Sequence, residues 1–81
     1  MGNQQTIEAK SGCKYIGKTK RGVPHGKGVV TFPSGSKYEG DFVRGKREGK
    51  GIYTYADGNR YEGEVKENKR HGFGIMIENN N

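Results

Sequence analysis

Basic side chains are the groups with the clearest chemical potential in this 81-residue chain. It carries 15 Lys and Arg against nine Asp and Glu, a formal net charge of +6 at pH 7. A surplus of cations attracts anionic partners, such as lipid headgroups, acidic proteins or nucleic acid. Most of the cations fall in three short segments: Lys18, Lys20, Arg21; Arg44, Lys46, Arg47; and Lys66, Lys69, Arg70.

The amino terminus suggests a second kind of chemistry. The first six residues, Met-Gly-Asn-Gln-Gln-Thr, fit the M-G-x-x-x-[ST] pattern of N-myristoylation, in which Gly2 carries the acyl chain. One myristoyl chain binds a membrane only marginally, so stable anchoring needs a second signal. Cations near an anionic leaflet contribute about 1 kcal/mol each. The sequence therefore predicts lipidation at Gly2 together with anionic-lipid or acidic-partner binding by the three basic segments.

Glycine spacing indicates the elements that hold these cations. Only 28% of residues are hydrophobic and 15 are Gly, a composition typical of disorder. The glycines are ordered, however, because Tyr15, Tyr38 and Tyr61 recur every 23 residues and a glycine follows each Tyr by two residues. A regular period of this length indicates stacked structural units. The chain divides into a flexible leader at 1–10, three units at 11–33, 34–56 and 57–79, and a tail at 80–81.

Each unit has the pattern of a β-hairpin. In the second unit one strand covers residues 38–42, Gly45 supplies the left-handed residue of a tight turn, and a second strand runs to Tyr55. Three stacked hairpins predict an all-β fold, an open twisted antiparallel meander of about six strands. The three basic turns then lie at one end of the sheet, spaced by roughly 10 Å, and their nine cations form a ladder about 20 Å long.

Strand alternation assigns the residues to two faces. Val29, Ile52 and Ile75 share one face, where we expect a thin core. The other face carries glycines and aromatic rings, with each tyrosine lying over glycines of a neighbouring strand. We predict this face as the docking surface for a partner. Its aromatic residues are Tyr15, Tyr38, Phe42, Tyr53, Tyr55 and Tyr61.

The pattern Tyr-Glu-Gly-Asp-Phe…Gly-Lys…Gly-x-Gly-x-Tyr…Asp-Gly, seen best across 38–58, resembles the MORN (membrane occupation and recognition nexus) repeat. The resemblance covers 11–79 and implies an elongated twisted sheet that serves as a scaffold, dimerisation or membrane-apposition module. The first unit departs from the pattern at Ile16, Lys18 and Thr19, which suggests a degenerate cap. The last strand is expected to leave an open edge.

Metal binding and catalysis find little support in the sequence. His25 and His71 hold the same repeat position, so they should lie roughly 20 Å apart, too far to share a zinc ion. Cys13 is the single Cys and cannot form an internal disulfide. Gly26-Lys-Gly28 lacks the rest of a phosphate-binding loop. We predict no enzymatic activity, no cofactor and no metal. Nucleic acid is a weak candidate, because Glu and Asp flank Tyr38 and Tyr61.

Two hypotheses about function remain open. The first is a peripheral membrane adaptor on a cytoplasmic membrane face, held by myristoylated Gly2 and by basic turns on anionic lipid. The second is a cytosolic or cytoskeletal protein-interaction module without a lipid anchor, with homodimerisation through the open sheet edge as one form. The sequence names neither the lipid nor the protein partner.

Overall fold

The computed structural model describes residues 4–79, which form one open antiparallel sheet. Its seven strands are β1 (Gln4–Glu8), β2 (Lys14–Lys20), β3 (Val23–Thr31), β4 (Lys37–Val43), β5 (Lys46–Thr54), β6 (Arg60–Lys66) and β7 (Lys69–Ile77). Each strand pairs with the one that follows it in the chain. The all-β meander of three stacked hairpins is therefore confirmed. Residues 4–79 contain no helix with the length and apolar composition needed to cross a membrane.

The seventh strand, β1, comes from the segment that we predicted to be a flexible leader. It pairs with β2 from Gln4 opposite Lys18 to Glu8 opposite Lys14. Ile7 is its one large apolar residue and packs, partly buried, against the core. A single apolar residue gives no alternation, so the sequence carries no strand signal here. Gly2, the predicted lipidation site, lies outside the described residues.

The hairpin turns explain why Gly or Asn recurs seven residues after each tyrosine. Gly22, Gly45 and Asn68 have φ values of 78°, 84° and 69°. The residue before each is also left-handed, with φ of 55° at Arg21 and 51° at Arg44. Two consecutive positive φ angles are the requirement of a type I′ turn, whose twist matches that of the two strands. The left-handed conformation predicted for Gly45 is thus confirmed.

A row of glycines crosses the sheet in direct register and gives the tyrosine rings their room. The pairs Gly17–Gly28, Gly40–Gly51 and Gly63–Gly74 join the two strands of each hairpin. A Cβ atom added at Gly28, Gly51 or Gly74 would collide with the ring of Tyr15, Tyr38 or Tyr61 respectively. Each ring therefore lies flat against backbone, as the spacing predicts. We call this side of the sheet the aromatic face.

The hydroxyl of each of these tyrosines also donates a hydrogen bond to a main-chain carbonyl of its own strand. The Tyr38 hydroxyl donates to the carbonyl oxygen of Asp41 at 2.9 Å, and the Tyr61 hydroxyl donates to that of Glu64 at 2.8 Å. Tyr15 makes the equivalent bond to Lys18. The acceptors lie where the strand register shifts, for example between Gly40 and Phe42. A buried phenol needs a hydrogen-bond partner, and the irregularity in each hairpin supplies one.

The core lies on the aromatic face. Its buried members are Tyr15, Val30, Tyr38, Phe42, Tyr53, Tyr61 and Val65. The thin core predicted on the opposite side is wrong, since Ile52 is 37% exposed and Ile75 is 64% exposed. The rings pack edge-to-face and tilted against one another at centroid distances of 4.9–6.4 Å along the sheet. Glu39 and Glu62 interrupt the aliphatic row of the opposite side, which we call the outer face.

Candidate functional site at the cationic end of the sheet

The three basic turns lie at one end of the sheet and hydrogen-bond to one another through main-chain groups. The amide of Gly45 donates to the carbonyl of Pro24 at 2.8 Å, and the amide of Asn68 donates to that of Arg47 at 3.1 Å. Each turn thus rests on the start of the second strand of the hairpin before it. The spacing of the turns is fixed by backbone contacts, so their side chains project from a regular scaffold.

Eight of the nine predicted cations are exposed at this end, and we call the seven of them that contact no aromatic ring the exposed ladder. They are Lys18, Lys20, Arg21, Arg44, Lys46, Lys66 and Lys69. Within residues 4–79 the ion pairs are Lys27–Asp41 at 2.6 Å and Arg60–Glu62 at 3.1 Å. Neither pair involves the exposed ladder, whose charges are therefore free to meet an external anion.

Arg47 and Arg70 depart from the ladder and cover aromatic rings instead. The Arg47 guanidinium lies 5.1 Å from the ring centre of Phe32 and 5.7 Å from that of Tyr53. Arg70 lies 5.6 Å from the ring centre of Tyr61. Cation–π contacts of this kind contribute about 0.5–1 kcal/mol at exposed sites. We therefore assign these two arginines to the side chains that cover the core, and the exposed ladder consists of the other seven cations.

The predicted docking face is mostly core. Tyr15, Tyr38, Phe42, Tyr53 and Tyr61 are all buried, and Tyr38 is fully so. Only Tyr55 is half-buried, stacked on Tyr53 at 5.9 Å. A partner could reach these buried rings only by displacing them from the core, so we assign the five residues to the core instead of to a docking surface.

The buried phenols and the nearby Asp41 keep their ordinary charge states near neutral pH. Burial raises the pKa of Tyr38 far above its usual range, and burial also raises the pKa of Tyr53 and of Tyr15. Partial burial of Asp41 favours its protonated form, yet hydrogen bonds from the Lys27 side chain and the Lys50 amide hold its pKa below the usual range. The phenols stay neutral and Asp41 stays charged near neutral pH, which leaves none of these groups poised for proton transfer.

The remaining candidates for metal or nucleophilic chemistry lie apart. His25 accepts a 3.3 Å hydrogen bond from the Arg44 amide through Nδ1, while His71 is exposed on β7. Cys13 is half-buried against the core. Among residues 4–79, no three His, Cys, Asp or Glu side chains come together as a group that could hold a metal ion.

An open groove on the outer face is a feature that the sequence reasoning missed. It has a volume of about 1060 Å³ and runs across β2 to β7, with Ile16, Ile52, Phe73 and Ile75 in its lining. Strand alternation predicts aliphatic residues on this side of the sheet, but as the residues that form the core. The signal that separates the two faces is the pair of glutamates, Glu39 and Glu62, because charged side chains mark a side that remains in water.

The repeat geometry agrees with one protein family. The MORN repeat model matches residues 15–37, 38–60 and 61–79. The chain belongs to the MORN repeat family. These ranges have the same period as the units of the sequence analysis and begin at the tyrosines, four residues later. MORN repeats are in general non-catalytic, and they suggest a binding or scaffold role for this chain. Comparison with curated protein sequences gives no significant match.

Proposed function

We propose that this MORN-repeat chain is a non-enzymatic adaptor that binds an anionic membrane face through the exposed ladder, with an acyl chain on Gly2 as its second contact. The observation that carries the proposal is the charge arrangement. Seven exposed cations share one end of the sheet, and none of them has an ion-pair partner among residues 4–79. Such an end is suited to a flat anionic surface, which all three turns can meet at once.

The direction of β1 supports a shared contact by the ladder and the amino terminus. Gln4 is opposite Lys18, so the chain enters the sheet at the cationic end. Two further residues of chain span at most about 7 Å. Because Gly2 precedes Gln4 by two residues in the chain, we infer that an acyl chain on Gly2 would enter the same bilayer that the cations contact.

The two contacts are weak alone and effective together. One myristoyl chain gives only reversible binding, with an association constant of about 10⁴ M⁻¹. Each cation near an anionic leaflet adds about 1 kcal/mol, and the attraction falls off within a Debye length of about 10 Å at 0.1 M salt. Binding should therefore need both signals, require anionic lipid and weaken as salt increases.

Co-sedimentation with vesicles tests the proposal. The probe is phosphatidylcholine vesicles with and without about 30% phosphatidylserine, which matches an anionic leaflet. The turn variant carries Lys20→Gln, Arg44→Asn and Lys46→Gln, where Asn suits the positive φ of Arg44. The matched control removes the same charge from the other end of the strands, with Lys10→Gln, Lys14→Gln and Lys37→Gln.

The turn variant should bind the acidic vesicles about a hundredfold more weakly than wild type, and the control should lose much less. Gly2→Ala, expressed with an N-myristoyltransferase, should lose its binding to the acidic vesicles, and intact mass should show the acyl group on wild type and not on Gly2→Ala. Equal losses in the turn variant and its control would reduce the effect to net charge and overturn the ladder. An unmodified Gly2 would remove the acyl contact from the proposal.

A further inference from the structure

A hollow on the aromatic face spans β1 to β5 and is separate from the groove of the outer face. Its volume is about 330 Å³, which lies at the lower end of the range of small-molecule sites. It runs along the strands, from Cys13 at one end to Asn68 at the cationic end. Most of its walls are apolar side chains, namely Ile7, Tyr15, Pro24, Val30, Phe32 and Phe42.

The hollow exists because β1 carries smaller side chains than the strands it imitates. β1 pairs with β2 in the same register as β5 pairs with β6, so Ile7 takes the place of Tyr53. Two residues later, Ala9 takes the place of Tyr55 and makes the same main-chain hydrogen bond. Tyr55 stacks on Tyr53 at 5.9 Å and fills that part of the face. Neither Ile7 nor Ala9 has a ring, so the corresponding space beside Tyr15 stays open.

Arg47 is the one charged residue in the lining of the hollow. Its Nη2 donates to the carbonyl of Asn68 at 3.3 Å, but its buried Nε has no hydrogen-bond partner among residues 4–79. No other buried side-chain nitrogen or oxygen of those residues lacks a partner. An unsatisfied buried donor is costly and rare in folded proteins. A donor of this kind on a cation indicates that an anionic acceptor fits beside it.

We propose that the hollow binds a medium-chain fatty acid, with its carboxylate on Arg47 and its tail along the strands towards Ala9 and Cys13. Apolar walls with a single cation are complementary to an amphipathic monoanion. A methylene group takes up about the volume of a water molecule, roughly 30 Å³. The hollow of 330 Å³ therefore holds a tail of about ten carbons. Arg47 is only half-buried, so its guanidinium can turn towards the carboxylate, which it suits as a planar donor.

The shape of the hollow favours an alkyl chain over a protein partner. Tyr15, Val30 and Phe42 are buried, and a flat protein surface would have to displace them. A narrow chain can reach their edges between Ile7 and Phe32, which are half-buried. No member of the exposed ladder lines the hollow. The site is therefore independent of the membrane contact proposed above.

Isothermal titration calorimetry of the full chain without an acyl group, titrated with monomeric decanoate, tests the proposal. One decanoate should bind per chain, with a dissociation constant on the order of 10–100 µM for a ligand of this size. Octanoate is two methylenes shorter and should bind about tenfold more weakly. Decanol and decylammonium keep the tail but lack the negative charge, so they should bind weaker than decanoate by about tenfold or more.

Three variants locate the site. Arg47→Ala should weaken decanoate binding by about tenfold or more and should remove the preference for decanoate over decanol. Arg70→Ala is the matched control, because Arg70 also covers an aromatic ring but does not line the hollow. Its affinity should stay within about twofold of wild type. Ala9→Tyr, which introduces the residue of the second unit at this position, should fill the hollow and abolish binding, and thermal unfolding should verify the fold of each variant.

Several results would overturn the proposal. These are the absence of binding up to about 1 mM decanoate, equal losses in Arg47→Ala and Arg70→Ala, equal affinity for decanol, and undiminished binding by Ala9→Tyr. The N-myristoylated protein should bind decanoate as the unmodified chain does. A loss of binding there would show that the acyl group of the chain itself occupies the hollow, and would overturn a free fatty acid as the occupant.

Discussion

The aromatic face and the outer face are built from alternate residues of the same strands, yet they follow different rules. On the aromatic face, the rings of Tyr15, Tyr38 and Tyr61 lie over glycines, and their hydroxyls donate to main-chain carbonyls. On the outer face, Ile52 and Ile75 remain exposed beside glutamates. The repeat period is therefore enforced by the aromatic face, because a shift of one residue would set a side chain under a ring. The outer face has no such constraint, and its residues change between units, as Lys27, Lys50 and Phe73 do.

Replacing Tyr38 by Ala should give the largest loss. The side chain is fully buried and contacts Phe42 and Tyr53. Truncating a buried aromatic residue costs about 3–5 kcal/mol, so we expect the variant to unfold or to melt far below wild type. Urea denaturation followed by circular dichroism measures this. Ile52→Ala on the outer face is the control and should cost less than a third as much; equal losses would erase the distinction between the faces.

Gly51→Ala should have the next largest effect. The new methyl group would collide with the Tyr38 ring, and forced overpacking typically costs 1–3 kcal/mol, so we expect about 2 kcal/mol. Lys50→Ala, one residue earlier and exposed, adds no atom under a ring and should change the unfolding free energy by less than about 0.5 kcal/mol. If the Gly51→Ala protein were as stable as wild type, steric room for the tyrosine rings would not explain the row of glycines.

Alkaline pH should weaken the aromatic face selectively. The pKa of Tyr38 is raised in the folded state, so the folded chain holds the phenol proton where the unfolded chain, with a pKa near 10, releases it. This stability is fully present below pH 10 and is lost as pH rises through the folded pKa. The urea midpoint should therefore begin to fall near the unfolded pKa of about 10 and keep falling as the pH rises further. Tyr38→Phe should show a smaller fall; an identical one would place the effect elsewhere.

Arg47→Ala should give the smallest measurable effect. The side chain covers Phe32 and Tyr53 and donates a 3.3 Å hydrogen bond to the Asn68 carbonyl. We expect a loss of about 1 kcal/mol from the cation–π contacts and the hydrogen bond. Lys46→Ala, its exposed neighbour in the ladder, should be neutral for stability. If the two changes were equivalent in thermal unfolding, Arg47 would belong with the exposed ladder.

The sequence predicted the fold well because the glycine and tyrosine spacing expresses one steric rule. Six strands, the left-handed Gly45 and the position of the rings over glycines all follow from it. Strand β1 could not be predicted in this way, because one isoleucine among polar residues gives no periodic pattern. Its hydrogen bonds come from pairing with β2. Tertiary pairing created that strand.

The site was predictable only in part, for reasons of side-chain reach. Turn position follows from the hairpin, so the common end of the basic turns could be read from the sequence. Arg47 and Arg70 begin near the turns, but long guanidinium side chains fold back to the nearest rings. Alternation also separates the two faces of a strand without saying which one is covered. That depends on how the rings of neighbouring strands pack, which no single unit contains.

The strand order has a consequence for how the chain acquires its structure. Every strand pairs with its neighbours in sequence, and the widest pairings, such as Lys14 with Thr31, join residues closer than one repeat. Proteins with such local contacts fold faster than all-β proteins with distant pairings, because little loop-closure entropy is lost before contacts form. Any one hairpin can nucleate the next, as in other linear repeats. The same locality means that duplicating a unit would lengthen the sheet by roughly 10 Å and leave the existing pairings intact.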